Sequence, residues 1–238
     1  MQKATRIIAI IAVIGFIGLI IFNSVSPSKS DYKAWNEQMT LGDKDTAKHH
    51  FIMYTDIFCP YCTKFSHAVA ENMDEFKKKY IEEQNIYFEV RITDMNYESG
   101  HSNNSLPAAK GAYCAAKQEK FWEYYDTIVL ELYKDYHSKG IGISRESERI
   151  PDLNVEYFYN AAEKGGLDRE QFVTCMEGDE VMAELRSNTA KASNFTGGGI
   201  PYFQFDNFKT SGFAGNFNTA YDWAQAQALL DAGLSSKK

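Results

Sequence analysis

The sequence predicts an α/β fold, in which two strand-and-helix pieces bracket a block of helices, preceded by an N-terminal transmembrane helix. Three observations carry that prediction. Ile7–Phe22 is a run of sixteen residues with no charge and no polar side chain. Between Phe51 and Ile92, an apolar run, a helical spacing and an alternating segment follow one another. From about Leu106 to Phe195 the pattern is mostly helical, and strand patterns return after it.

The N-terminal run is long for the core of a signal peptide and slightly short for a membrane span. Ala4, Thr5 and Asn23–Val25 extend it to a workable length. Residues 1–30 hold Lys3, Arg6 and Lys29 and no acid. Positive flanks stay cytoplasmic, so the expected arrangement is a single-pass cell-membrane protein with its body on the extracytoplasmic side. Cleavage after Ser24-Val25-Ser26 is the competing reading, although it puts Pro27 at +1, which is unfavourable. A buried helix of a soluble protein is the third. The expected boundaries are 1–30 for the anchor and its Ser/Pro linker, and 31–238 for the folded domain, with a helical insertion at about 96–195.

Within the domain, Phe51-Ile52-Met53-Tyr54 ends at Thr55-Asp56 and reads as a buried strand. Phe65, Val69, Met73, Phe76 and Tyr80 then recur at spacings of three and four, which predicts a helix with one apolar face. Ile86, Phe88, Val90 and Ile92 alternate with Tyr87, Glu89 and Arg91, which predicts a strand. Together they form a βαβ unit. Gly140-Ile141-Gly142 and Gly165-Gly166 break the helical block. Tyr202–Phe205 and Thr210–Phe213 read as strands around a turn at Asp206-Asn207, and a last helix is expected from about Asn218 to Leu230. One sheet built from both ends of the domain follows from this bracketing.

The formal net charge is −7, and the early charges are all positive, so the body is more acidic still. That argues against a nucleic-acid partner. The four cysteines are Cys59, Cys62, Cys114 and Cys175. Their even number fits an oxidising compartment without establishing one.

The chemistry concentrates at Cys59-Pro60-Tyr61-Cys62. Cys59 stands where a strand ends and a helix begins. The helix dipole and unpaired backbone N–H groups stabilise a thiolate there. Pro60 suits the first turn, where its missing N–H has no intrahelical partner. Cys62 lies on the same face, within disulfide reach. Cys59 is expected to be exposed and to attack, and Cys62 to be more buried and to resolve the mixed disulfide. A zinc site is a competing reading, but Cys114 and Cys175 are single and the five histidines make no paired motif with them. An inert structural disulfide is another. No metal and no cofactor are expected.

Asp56, three residues before Cys59, tunes or relays a proton, or else is a solvated strand-end acid. Phe58, Tyr202, Phe203 and Phe213 line a groove for unfolded substrates, or else pack in the core. Gly197-Gly198-Gly199-Ile200-Pro201 precedes a strand, a position where proline is permitted.

Taken in order, Tyr54–Cys62, Ala112-Tyr113-Cys114-Ala115-Ala116 with Lys120–Glu123, and Gly199-Ile200-Pro201-Tyr202-Phe203 resemble the DsbA-like branch of the thioredoxin superfamily over roughly residues 41–232. The resemblance implies a thioredoxin-like fold with a helical insertion. It implies Cys59 as nucleophile, Cys62 as resolving thiol, Pro60 and Tyr61 as tuning residues and Pro201 as a cis proline beside the substrate. Ile200, with Phe58 and Tyr202, is expected to contact substrate, the Ile200 backbone pairing with it as a short strand. An ordinary trans proline in a glycine-rich loop is the alternative for Pro201. Tyr61 stands where the best-studied oxidases of this branch have histidine, and the same tetrad is similar to that of glutaredoxins and of a DsbG-type isomerase. Some relatives carry a cysteine pair placed like Cys114 and Cys175, which implies a second, structural disulfide. The alternative is that each packs as a small buried hydrophobe.

These features give three functional expectations. The first is a dithiol oxidase acting on reduced exported proteins, reoxidised by a DsbB-type or vitamin K epoxide reductase-type quinone enzyme. The second is a reductase or isomerase using the same motif. Only 28 residues separate Phe22 from Phe51, too few for the dimerisation domain of the isomerases, which favours the oxidase and a monomer. The third is a non-enzymatic, chaperone-like module.

Overall fold

The computed structural model describes residues 36–196, 199–206, 208–211 and 222–235. All fall within Trp35–Lys238. The apolar run at 7–22, the turn residue Asn207, and Phe213 lie outside the described residues. Among the described residues no helix is long and apolar enough to cross a membrane.

Five strands form one sheet, in the order β1-β3-β2-β4-β5. They are β1 (Thr40–Leu41), β2 (His49–Thr55), β3 (Ile86–Ile92), β4 (Tyr202–Phe205) and β5 (Phe208–Ser211). β2 is central. It runs parallel to β3 from His49↔Ile86 to Thr55↔Ile92, and antiparallel to β4 from Phe51↔Phe205 to Tyr54↔Tyr202. The early and late strands of the domain thus meet at β2, and Phe51 marks the seam. Its ring stacks on Phe88 and Phe205 at 4.8 and 4.2 Å, with Phe65 edge-on at 6.2 Å.

The alternation in β3 does not leave a wet face. Tyr87 and Glu89 are buried as well, because the insertion packs on the sheet. Glu89 pairs there with Arg91 at 2.5 Å.

The helix after β2 is not continuous. α1 (Pro60–Glu71) stops at Asn72, whose side chain donates to the Ala68 carbonyl at 2.9 Å. Such local bonding competes with the helical ladder. α2 (Met73–Phe76) and a π-helical segment, Lys77–Glu83, follow. The re-phasing still buries Phe76 and Tyr80.

The insertion comprises α3 (Met95–Glu98), α4 (Ser105–Lys117), α5 (Phe121–Asp135), α6 (Glu156–Lys164), α7 (Arg169–Glu177) and α8 (Met182–Thr196). Gly140 and Gly142 end the α5 region with φ of 81° and 69°, where a side chain would be strained.

β5 begins two residues before the expected Thr210, because the turn is tight. Phe205 pairs directly with Phe208. Asp206 takes φ +36°, and its carboxylate accepts from the His50 backbone N–H at 3.0 Å. α9 (Trp223–Ser235) starts later than Asn218 and runs past Leu230. Asp222 sets that start by accepting from the Ala224 N–H at 2.9 Å.

Candidate active site

β2 delivers the chain to Asp56, and Asp56 folds the loop that follows. Its carbonyl accepts from the Cys59 N–H at 3.0 Å, and its Oδ1 from the Phe58 N–H at 2.9 Å. Cys59 keeps an extended backbone (φ −82°, ψ 122°) immediately before α1, with Pro60 opening the helix. The Thr63 hydroxyl donates to the Cys59 and Ile57 carbonyls, which braces the turn from inside.

Cys59 and Cys62 are both free thiols. Cys59 is only 5 % exposed, against 0 % for Cys62. The order matches the expectation, but Cys59 is not openly exposed. The loop before β4 closes over it, and its Sγ donates to the Ile200 carbonyl across 3.7 Å. The Ile200–Pro201 peptide is cis. Because β4 starts at Tyr202 opposite Tyr54, that bond falls beside the exit of β2. Burial first, then the hydrogen bond with Cys59 and the nearness of its charge, raise the Cys62 thiol well above the ordinary value. Ser66 donates to the Cys62 carbonyl at 3.0 Å and shares a 2.6 Å hydrogen bond with the Tyr125 hydroxyl, so the floor under Cys62 is polar and dry.

Asp56 is not a solvated acid. It is fully buried, and burial pushes its carboxyl up to about 6 against opposing hydrogen bonds from Ser105, Asn96 and Phe58. Its Oδ2 accepts from the Asn96 N–H at 2.9 Å and from the Ser105 hydroxyl at 2.5 Å. One carboxyl therefore ties the cysteine loop to the starts of α3 and α4. Asn96 and Ser105 carry no motif, and the sequence gives no signal for them.

A cavity of about 400 Å³ opens over Cys59. Phe58, Pro60, Tyr61 and Ile200 line it beside the thiol, and Met95 and Ile150 line it from the insertion. Tyr202 does not. It is buried against Tyr54 and Ala192, because period-two alternation turns it away from the site, and this corrects its expected role in substrate contact. Phe203 lies in the core against Phe65. Of the four aromatics expected around a groove, Phe58 lines the cavity and Phe213 falls outside the described residues.

Away from the cavity, Cys114 on α4 and Cys175 on α7 form a disulfide, with Cα atoms 5.8 Å apart. No cluster of three or more potential metal ligands occurs among the described residues.

A family model described as thioredoxin matches residues 35–231. A Rickettsia prowazekii protein named, provisionally, a protein-disulfide oxidoreductase is 26% identical over 206 residues, covering 84% of this chain and 66% of its own. The chain thus spans just under two thirds of the length of that curated relative. Among solved structures, a thioredoxin-like oxidoreductase from Silicibacter pomeroyi superposes with a TM-score of 0.55 at 21% identity, covering 88% of this chain and all of that one. The thiol-disulfide exchange protein alpha-DsbA2 from Wolbachia pipientis gives 0.57 at 13%, covering 87% and 93%. At these identities the two structures speak for the fold.

Proposed function

We propose that this chain, which belongs to the thioredoxin family, is a protein thiol–disulfide oxidoreductase that introduces disulfides into exported proteins. One observation carries the reading. The Cys59 thiol lies against the Ile200 carbonyl on the floor of an open cavity, with Cys62 sealed behind it. An extended substrate segment that pairs with the Ile200 backbone brings its own sulfur to Cys59 and not to Cys62.

The exchange runs from the oxidised Cys59–Cys62 pair. A substrate thiolate attacks the Cys59 sulfur, the bond to Cys62 breaks, and Cys62 leaves with the electron pair and takes up a proton. A second substrate thiol loses its proton and attacks the substrate sulfur of the mixed disulfide, which expels Cys59. Two substrate thiols are oxidised to a disulfide, and the enzyme pair is reduced. Its high thiol value keeps the departed Cys62 protonated at neutral pH.

For turnover, a membrane quinone-linked enzyme of the DsbB or vitamin K epoxide reductase type reoxidises the pair. The apolar run at 7–22 anchors the monomer with its domain on the extracytoplasmic side. Reductase or isomerase action uses the same exchange in reverse. The deciding experiment traps the in-cell state of Cys59 and Cys62 by acid and alkylation. A mainly oxidised pair supports the oxidase, and a mainly reduced pair overturns it in favour of the reverse direction. Protease protection of the full chain in intact cells tests the side of the membrane.

A further inference from the structure

The loop after Gly142 contributes to the lining of the same cavity as Cys59, and it is charged. Arg145 and Arg149 both line the cavity, with Ser144 and Ile150. Glu146 and Glu148 interleave with them in sequence and do not. The cavity lining thus takes the two arginines of this loop and neither of its glutamates. Neither arginine has a carboxylate partner among the described residues, although both are exposed and the chain as a whole carries −7. Besides Cys59 and Tyr61, the other ionisable side chains on the cavity are Glu98 and His101, and His101 is already engaged by the Ser99 hydroxyl at 2.7 Å. A generalist surface for unfolded chains is mainly apolar. Here Phe58, Tyr61, Pro60, Met95, Ile150 and Ile200 share the lining with two arginines that have no carboxylate partner among the described residues.

We propose that Arg145 and Arg149 make this a site selective for polypeptide segments with acidic residues flanking the target cysteine. The inference rests on the exchange reading above. A segment lying along Ile200 with its sulfur at Cys59 brings its neighbouring side chains into the cavity that Arg145 and Arg149 line. Arginine's fork matches a carboxylate in geometry as well as charge. Opposite charge also speeds encounter, and lysine-flanked segments are repelled.

The test uses the oxidised full chain and three reduced dithiol peptides that differ only in flanking residues: acidic, serine or basic. The expected order of second-order rate constants is acidic, then serine, then basic. Their spread is roughly tenfold at low salt and contracts at high salt. The double variant Arg145→Glu/Arg149→Glu inverts the acidic-to-basic ratio. Glu146→Gln/Glu148→Gln, on the same loop but off the cavity, leaves the order in place. Equal rates for all three peptides, or an unchanged ratio in the arginine variant, overturn the proposal. So does a preference for a free acidic tripeptide thiol over the acidic peptide, which points to a small-thiol site. Anisotropy with labelled peptides carrying serine for cysteine separates this inference from the one beneath it. The charge order in binding without any exchange by Cys59 removes the oxidoreductase reading and keeps the specificity. Exchange without charge order removes the specificity alone.

Discussion

The two cysteine pairs are the same chemical group placed under opposite rules. Cys59 and Cys62 are three residues apart, unbonded, and held at the start of α1, Cys59 on the floor of a cavity and Cys62 behind it. Cys114 and Cys175 are 61 residues apart, bonded, and embedded between two helices of the insertion. Burial does not separate them, since all four are at most 5 % exposed. What separates them is what lies next to the sulfur. Cys59 keeps a free thiol against a carbonyl, whereas Cys114 and Cys175, which line a smaller cavity of their own, are bonded to each other. Reactivity in this chain is therefore a property of position on the sheet's exit loop, and the insertion uses the same side chain for mechanical connection.

Substitution breaks the comparison most sharply at Cys59. Cys59→Ser is expected to lower thiol exchange with a reduced model protein by at least about a thousandfold, and Cys62→Ser to accumulate mixed disulfides visible on non-reducing gels. Cys114→Ala/Cys175→Ala is expected to keep exchange and lose stability. Closing a loop of this length restricts the unfolded chain by ~4 kcal/mol on the entropy model. Denaturant midpoints of the wild type and the double variant measure that difference. Exchange lost in the insertion variant, or retained in Cys59→Ser, erases the distinction.

The sheet and the redox motif were legible because both are written locally. Period-two and three-or-four spacings place β2, β3 and α1, and a CxxC at a strand end needs no distant partner to be noticed. The fates of the distant side chains were not legible. Asp56 reads as a strand-end acid until Asn96 and Ser105, 40 and 49 residues on, are brought to it. Tyr202 looks available until β4 pairs with β2 and turns it toward Tyr54. The break at Asn72 was hidden because the apolar spacing continues through it, and a π-helical segment preserves the buried face while changing the ladder. The disulfide in the insertion came from resemblance, since spacing alone cannot choose between a bond and two buried thiols.

Acid sharpens the comparison between two buried titratable groups near α1. Lys64, His67 and His137 are all buried. Burial first, then the charges of His67 and Lys64, pull His137 down to about 4. Burial also lowers His67 against the opposing Glu71, while its ring lies tilted against Tyr133, with centroids 3.9 Å apart. A histidine whose folded value is depressed stays neutral while the unfolded chain takes up a proton. Stability is therefore full above about 6.5 and is lost as pH falls toward 4. The difference amounts to up to about 3 kcal/mol for His137. His137→Gln is expected to flatten that limb in urea titrations at pH 7 and 4.5. Parallel pH profiles for variant and wild type would mean that another group sets the acid limit.

Asp56 provides the opposite sign at the cysteine loop, and its net effect is the smallest of the four because two contributions nearly cancel. Its folded value, about 6, lies above the ordinary carboxylate value of 3.8. The stability tied to its neutral form is thus present below 3.8 and lost as pH rises through 6. Asn at this position removes the buried charge, which favours the variant at pH 7. The amide, however, offers one acceptor where the carboxyl offers two. If its oxygen keeps the Phe58 N–H, its NH₂ faces the Asn96 N–H. Ser105 can rotate to accept, but Asn96 cannot, and an unpaired buried N–H costs about 1–3 kcal/mol. At pH 7 the gain and the cost offset to within about 1 kcal/mol. At pH 4 only the cost remains, so Asp56→Asn is expected to be clearly less stable than wild type there. Alkylation of Cys59 supplies a second readout, because loosening the Phe58 and Asn96 contacts frees the loop that aims the thiol. A several-fold change in that rate at pH 7, with little change in global stability, is the expected signature of a positioning residue. An Asp56→Asn chain with the wild-type stability profile from pH 4 to 7 would show that the carboxyl is ionised throughout that range, and that the buried tie between the cysteine loop and the insertion is a charged one.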